Sequence, residues 1–155
     1  MSSIGFLIPE FPGQTHAFFI RERHELKKLG VHAELFSTQP PQIGVSTASH
    51  AWSEEAAKET CYLHPLSVGK LLGCVWDVLC AGPRAWIESF KGILGKSDMP
   101  LGARPKMLGL LLVGAYLKRQ CEKKGLKHIH VHSCANAANI AMFSRILGGP
   151  SYSLT

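Results

Sequence analysis

Two short segments hold the residue types that could do chemistry. One is Phe11-Pro12-Gly13-Gln14-Thr15-His16, and the other is His132-Ser133-Cys134-Ala135-Asn136. Gln14, Thr15, His16, His132, Ser133 and Asn136 offer side-chain donors and acceptors to a hydroxyl or a phosphate. Each segment follows a short apolar run and precedes an amphipathic one, which places it between a strand and a helix. Backbone N–H groups and the helix dipole at such a point favour negative charge. The plainer reading is cap chemistry, with Thr15 and Ser133 satisfying backbone donors.

His128, His130 and His132 alternate, so on a strand they share one face. This H-x-H-x-H pattern has permissive metal-ligand spacing. No carboxylate or second ligand cluster accompanies it in sequence, so the expectation is packing or hydrogen bonding, with no metal. No P-loop, H-E-x-x-H or Ser/His/Asp order is present, and no catalytic residue is assigned. A dinucleotide site needs G-x-G-x-x-G in the first strand–helix turn. Only Gly13 stands there, followed by Gln14 and His16, so NAD and FAD are set aside and no cofactor is expected. Glu22 and Glu25 lie among basic residues and read as solvated ion pairs. Cys134 sits where a helix N-terminus lowers a thiol pKa, although a buried, inert cysteine is the commoner case.

The elements that must position these segments follow from local pattern. Ile4–Ile8 is an apolar run suited to a strand buried on both faces. Thr15 is the expected cap of a helix carrying Phe18, Phe19, Leu26 and Leu29, closed by Gly30. Val31–Phe36 alternates as a second strand. Ser53–Thr60 predicts a short helix and Cys61–Leu63 a short third strand. Helices are expected from Ser67 to about Ala81, from Arg84 to Leu94, and from Pro105 through Lys124. The first half of the last of these is apolar nearly all round, which predicts burial or membrane contact. His128–His132 reads as a fourth strand, Ser133 as the cap of a helix reaching Leu147, and Ser151–Thr155 as the start of a fifth strand. Two strand–helix–strand patterns flanking a helical insert at about 66–127 predict an α/β domain with a Rossmann-like parallel sheet. The chain stops inside that last strand, so it is expected to be a fragment or a truncated reading frame.

Composition sets the remaining bounds. The 155 residues are 46% hydrophobic and 18% charged, which excludes a disordered chain and suits a single domain. The net charge is +6, and it is unevenly spread. Residues 66–127 hold eleven Lys and Arg against Asp77, Glu88, Asp98 and Glu122, a local excess of +7, while the rest sums to −1. Such a segment favours an anionic partner. Nucleic acid is set aside, because the basic residues are not interleaved with stacking aromatics. An anionic membrane surface remains the partner expected. Five cysteines without C-x-x-C point away from a disulfide framework or structural zinc, toward a reducing cytoplasmic compartment. The N-terminus lacks a signal peptide's basic region and cleavage site. No apolar run reaches the roughly 20 residues of a spanning helix.

These residues carry a family resemblance. Ile4-Gly5-Phe6-Leu7-Ile8, then Phe11-Pro12, a hydroxyl residue, Phe18 and Arg21-Glu22 resembles the opening of family-4-type GT-B glycosyltransferases. Those enzymes commonly read F-P-x-x-S-E-T-F-I-x-R-E there. Thr15 stands for the usual Ser and His16 for the usual Glu. Gly30, Pro40 and Pro41 occupy the expected places. His130-Val131-His132-Ser133, the alanine-rich helix, Gly149-Pro150 and Tyr152–Thr155 resemble the family's H-x-H segment and following strand. The basic helical middle is similar to the exopolysaccharide branch. The resemblance implies the N-terminal, acceptor-side half of a GT-B enzyme at the inner membrane face. The nucleotide-sugar donor would be held by a second domain, which these residues do not contain. On this reading Gly13, Gln14, Thr15, His16, His132, Ser133 and Asn136 bind a glycan or lipid-linked acceptor. The alternative is a non-catalytic α/β binding module for an anionic ligand or protein partner.

Overall fold

The computed structural model describes residues 2–13, 17–41, 51–94, 102 and 104–155. Five strands, β1 (Ser2–Glu10), β2 (Val31–Gln39), β3 (Cys61–Tyr62), β4 (His128–Val131) and β5 (Ser151–Leu154), form one sheet in the order β3-β2-β1-β4-β5. Every pairing is parallel. The helices are α1 (Ala17–Lys28), α2 (Ala51–Glu59), α3 (Val68–Cys80), α4 (Pro83–Leu94), α5 (Arg104–Lys124) and α6 (Asn136–Ile146). This is the expected Rossmann-like α/β architecture.

Strand alternation divides the core in two. Phe6, Ile8, Ala33 and Leu35 point to one side, where Phe19, Ile20 and Leu26 of α1 and Ala56 of α2 cover them. Leu7, Phe36, Ile129 and Val131 point to the other, beneath residues of α3 to α6. Both faces of the middle of β1 are thus buried, which is why the sequence from Ile4 to Ile8 has no polar side chain. α5 is the centre of the second layer. Met107, Leu111 and Val113 to Leu117 are buried while Leu108 is exposed, so its apolar run is mainly a burial signal. Gly114 lies against α6, where a Cβ would come 2.9 Å from the Ile140 carbonyl oxygen and 2.9 Å from Phe143 Cβ. On the opposite flank Arg119 of α5 grips α3. Its guanidinium donates twice to the Asp77 carboxylate, and once to the Gly73 carbonyl at 2.9 Å.

Several expectations shift in detail. β1 and β2 run past their apolar runs into Glu10 and Gln39, because parallel pairing between them continues to that point. β3 stops at Tyr62. In α1, Phe19 is buried, whereas Phe18 and Leu29 are exposed. Leu29 follows the last helical residue and precedes Gly30, whose φ of 80° ends the helix. Ser133 does not cap α6. The N-cap is Ala135, and Ser133 Oγ instead accepts a 3.3 Å hydrogen bond from the Ala135 N–H. The chain needs a turn after β4 before α6 can begin, and this serine–backbone bond closes that turn. Thr15, the other expected cap, lies outside the described residues.

The Asp77–Arg119 pair gives a modest test of the α3–α5 contact. Asp77→Ala is expected to lower stability by about 1 kcal/mol, because the Arg119 side chain stays 40% exposed and can turn to water. Urea unfolding checks this. A loss above about 3 kcal/mol would mean that the charge is stranded in a dry site.

Candidate functional site

β1 and β4 are neighbours, yet the chain leaves them in opposite directions. From β1 it passes through α1 to β2, and from β4 it passes through α6 to β5 on the far side. Their carboxyl ends therefore flank the point where strand order reverses, the usual ligand crevice of open α/β sheets. A cleft of about 360 Å³ opens there, lined by Ile8, Pro9, Glu10, Phe18, Phe19, His132 and Ser133. That volume is within the roughly 300–1,000 Å³ of small-molecule sites. A larger cleft of about 520 Å³, lined by Lys127, Gly148 and Ser151 among others, lies at the amino ends of β4 and β5. Parallel sheets do not place ligands at that end, so the smaller cleft is the candidate site.

His132 forms one wall. Its backbone N–H donates to the Leu7 carbonyl at 3.0 Å, extending the β1–β4 pairing by one residue. Its ring is enclosed by three others, with centroids 4.7 Å from Phe6, 4.5 Å from Phe19 and 4.6 Å from His130. Burial, reinforced by repulsion from His130, pulls its pKa down to about 4. The imidazole is therefore neutral at pH 7. Its Nε2 is shielded from solvent and has no hydrogen-bond partner among the described residues. An unsatisfied buried nitrogen costs free energy that a ligand hydroxyl can recover.

The other two histidines are engaged. His128 shares hydrogen bonds with Ser151 Oγ at 2.9 Å and Ser153 Oγ at 3.0 Å. His130 shares them with Ser153 Oγ at 2.7 Å and Thr155 Oγ1 at 2.6 Å. His128 and His130 thus meet the S-x-S-x-T alternation of the neighbouring segment, each bridging the hydroxyl of its paired residue and the one two further on. Among the described residues no three His, Cys, Asp or Glu side chains are grouped to hold a metal.

Of the residues singled out from sequence, His132 and Ser133 line the cleft. Gly13 is half-buried just past the Phe11–Pro12 peptide, which is cis. Asn136 is exposed as the first residue of α6 and does not line the cleft. Gln14, Thr15 and His16 lie outside the described residues. Cys134 is exposed, not the buried thiol that frequency favours. Sequence reasoning missed Pro9, Glu10, Phe18 and Phe19 as wall residues. The available signal was Phe18 beside Phe19, since one helical stripe needs only one of two adjacent aromatics for the core. Comparison of the chain with protein-family models, curated proteins and solved structures finds no match.

Proposed function

We propose that this chain forms the acceptor-side wall of a glycosyltransferase of the GT-B kind, binding a glycan or lipid-linked acceptor. A second domain would supply the nucleotide-sugar donor. The observation that carries this reading is the cleft at the β1–β4 crossover point, with His132 in its wall and the Nε2 of that ring unpartnered among the described residues. A neutral imidazole exchanges hydrogen bonds with a hydroxyl. The exposed ring of Phe18, backed by buried Phe19, suits the apolar face of a sugar ring. The cleft's described residues include the carboxylate of Glu10 and no lysine or arginine, which disfavours the alternative of an anion-binding module. Catalysis of transfer requires positioned charge for the leaving diphosphate, which one wall does not provide.

NMR titration of the purified chain tests this reading. Glucose or cellobiose is expected to shift the His132 and Ser133 resonances with about millimolar affinity, since a half-cleft buries little of the ligand. His132→Ala should weaken that binding about fivefold, the loss of one hydrogen bond. Shifts caused by inorganic phosphate and not by sugars would favour the anion module and overturn the proposal. Turnover of a nucleotide sugar by this chain alone, abolished by His132→Ala, would overturn the one-wall reading.

A further inference from the structure

The amphipathicity of α3 is inverted. Its large apolar residues Val68, Leu71, Leu72, Val75, Trp76 and Leu79 are all exposed, Leu72 and Trp76 to 65% each. Their spacing of i, i+3, i+4, i+7, i+8 and i+11 makes one continuous face. The side turned to the protein carries Gly73, buried Cys74, half-buried Val78 and the helix's two charges. Asp77 is held by Arg119, and Lys70 Nζ lies 5.1 Å from the Tyr116 ring centroid. No charged side chain therefore stands on the outer face of α3. α4 repeats the arrangement. It buries Ala85, Ser89 and Ile93 while Trp86, Ile87, Phe90 and Leu94 are exposed. The two helices are joined through Gly82, where the Trp86 indole N–H donates to the Val78 carbonyl at 2.6 Å.

Ten large apolar residues on two consecutive helices are a docking surface, not the scattered exposure of an ordinary monomer. Composition and charge point to the occupant. Lys91 and Arg84, the latter paired with Glu88 at 3.8 Å, lie beside the apolar stripe of α4, and of the +7 excess in residues 66–127 the two helices supply +1 and residues 104–127 supply +6. Among the described residues no helix is long and apolar enough to cross a membrane. A face with tryptophans, an apolar centre and basic flanks matches the water–lipid boundary of an anionic leaflet. We infer that the outer face of α3 and α4 lies in the headgroup region of an anionic bilayer, with Leu72, Trp76, Trp86 and Phe90 reaching the acyl boundary. This does not depend on the sugar-transfer proposal.

Vesicle flotation of the 155-residue chain tests it. Vesicles of phosphatidylglycerol mixed with phosphatidylcholine should carry the protein upward, and added salt should weaken the association. The double variant Leu72→Glu, Trp76→Glu should lose about tenfold or more in affinity, with circular dichroism unchanged because both side chains are exposed. In the unaltered chain, brominated lipid in the same vesicles should quench tryptophan fluorescence, a readout that requires no variant to fold. Absence of flotation, equal binding to pure phosphatidylcholine, binding indifferent to a folded double variant, or absence of quenching would each overturn the inference. So would a concentration-dependent dimer in sedimentation that the double variant dissolves while vesicles go unbound, since the face would then belong to a second copy.

Discussion

Gly114→Val should destroy the cooperative fold of this chain. α5 and α6 approach so closely at Gly114 that even a Cβ would stand 2.9 Å from Ile140 O and 3.0 Å from Ser144 N. Both are backbone atoms inside α6, so no side-chain rotation relieves the overlap. The helices must separate, and they carry the core shared by Ala115, Leu117, Ile140 and Phe143. Overpacking costs about 1–3 kcal/mol where side chains can adjust and more where they cannot. Gly114→Ala should therefore cost about 2–3 kcal/mol, lowering Tm by about 5–10 °C in a domain of this size. Valine adds two further methyls against the same backbone, and should leave no sharp thermal transition by calorimetry. A Gly114→Ala protein as stable as the parent would show that the α5–α6 packing is looser than described.

The second large effect is a loss of stability on acidification that traces to His132. Its folded pKa, about 4, lies below the ordinary histidine value because burial and His130 oppose the charged ring. The fold therefore favours the neutral form. Its contribution is fully present above about pH 6.5, where the unfolded ring is also neutral. Between about pH 6.5 and 4 the unfolded chain takes up a proton that the folded chain refuses, and stability falls. The ring is only half-buried, so the shift translates to about 2 kcal/mol after allowing for solvent. His132→Phe keeps the aromatic contacts with Phe6 and Phe19 and removes the titration. The difference in unfolding free energy between parent and variant should change by about that amount across the window. The imidazole resonances give a direct check. A titration midpoint at or above 6.5 would contradict the enclosure described for His132 and remove the basis for treating it as a neutral hydroxyl-binding group.

How much of the site was legible before folding depended on whether the signal was local. Strand β4 could be read from His128 to His132 because alternation is a property of one strand. The partners of that alternation, Ser151, Ser153 and Thr155, were visible only as another strand. Which hydroxyl meets which imidazole follows from the parallel register between β4 and β5, and no single segment encodes a register. His132 and Ser133 were found because ligands of α/β sheets gather at carboxyl strand ends. Pro9 and Glu10 were missed because β1 continues past its apolar run, held there by pairing to β2. Asn136 does not line the cleft for a related reason. The turn from β4 to α6 takes up Ser133, Cys134 and Ala135, which carries Asn136 past the cleft.

Local sequence determined the element order, the parallel Rossmann-like class and the basic character of residues 66–127. Each of these depends on hydrophobic period, capping residues or charge count within a short window. Tertiary structure decided which faces of those elements the core uses. α5 and α3 both read as strongly apolar helices, yet α5 is buried and α3 turns its leucines and tryptophan outward. The reason is competition for limited contact area. The layer over Leu7, Phe36 and Val131 is filled mainly by the side chains of α5 and α6, packed to backbone contact at Gly114. What remains for α3 is a flank where Arg119 requires a carboxylate and small residues to reach it. A carboxylate at Asp77 and the small residues Gly73 and Cys74 meet that requirement, so that side of α3 faces inward and its apolar stripe faces outward.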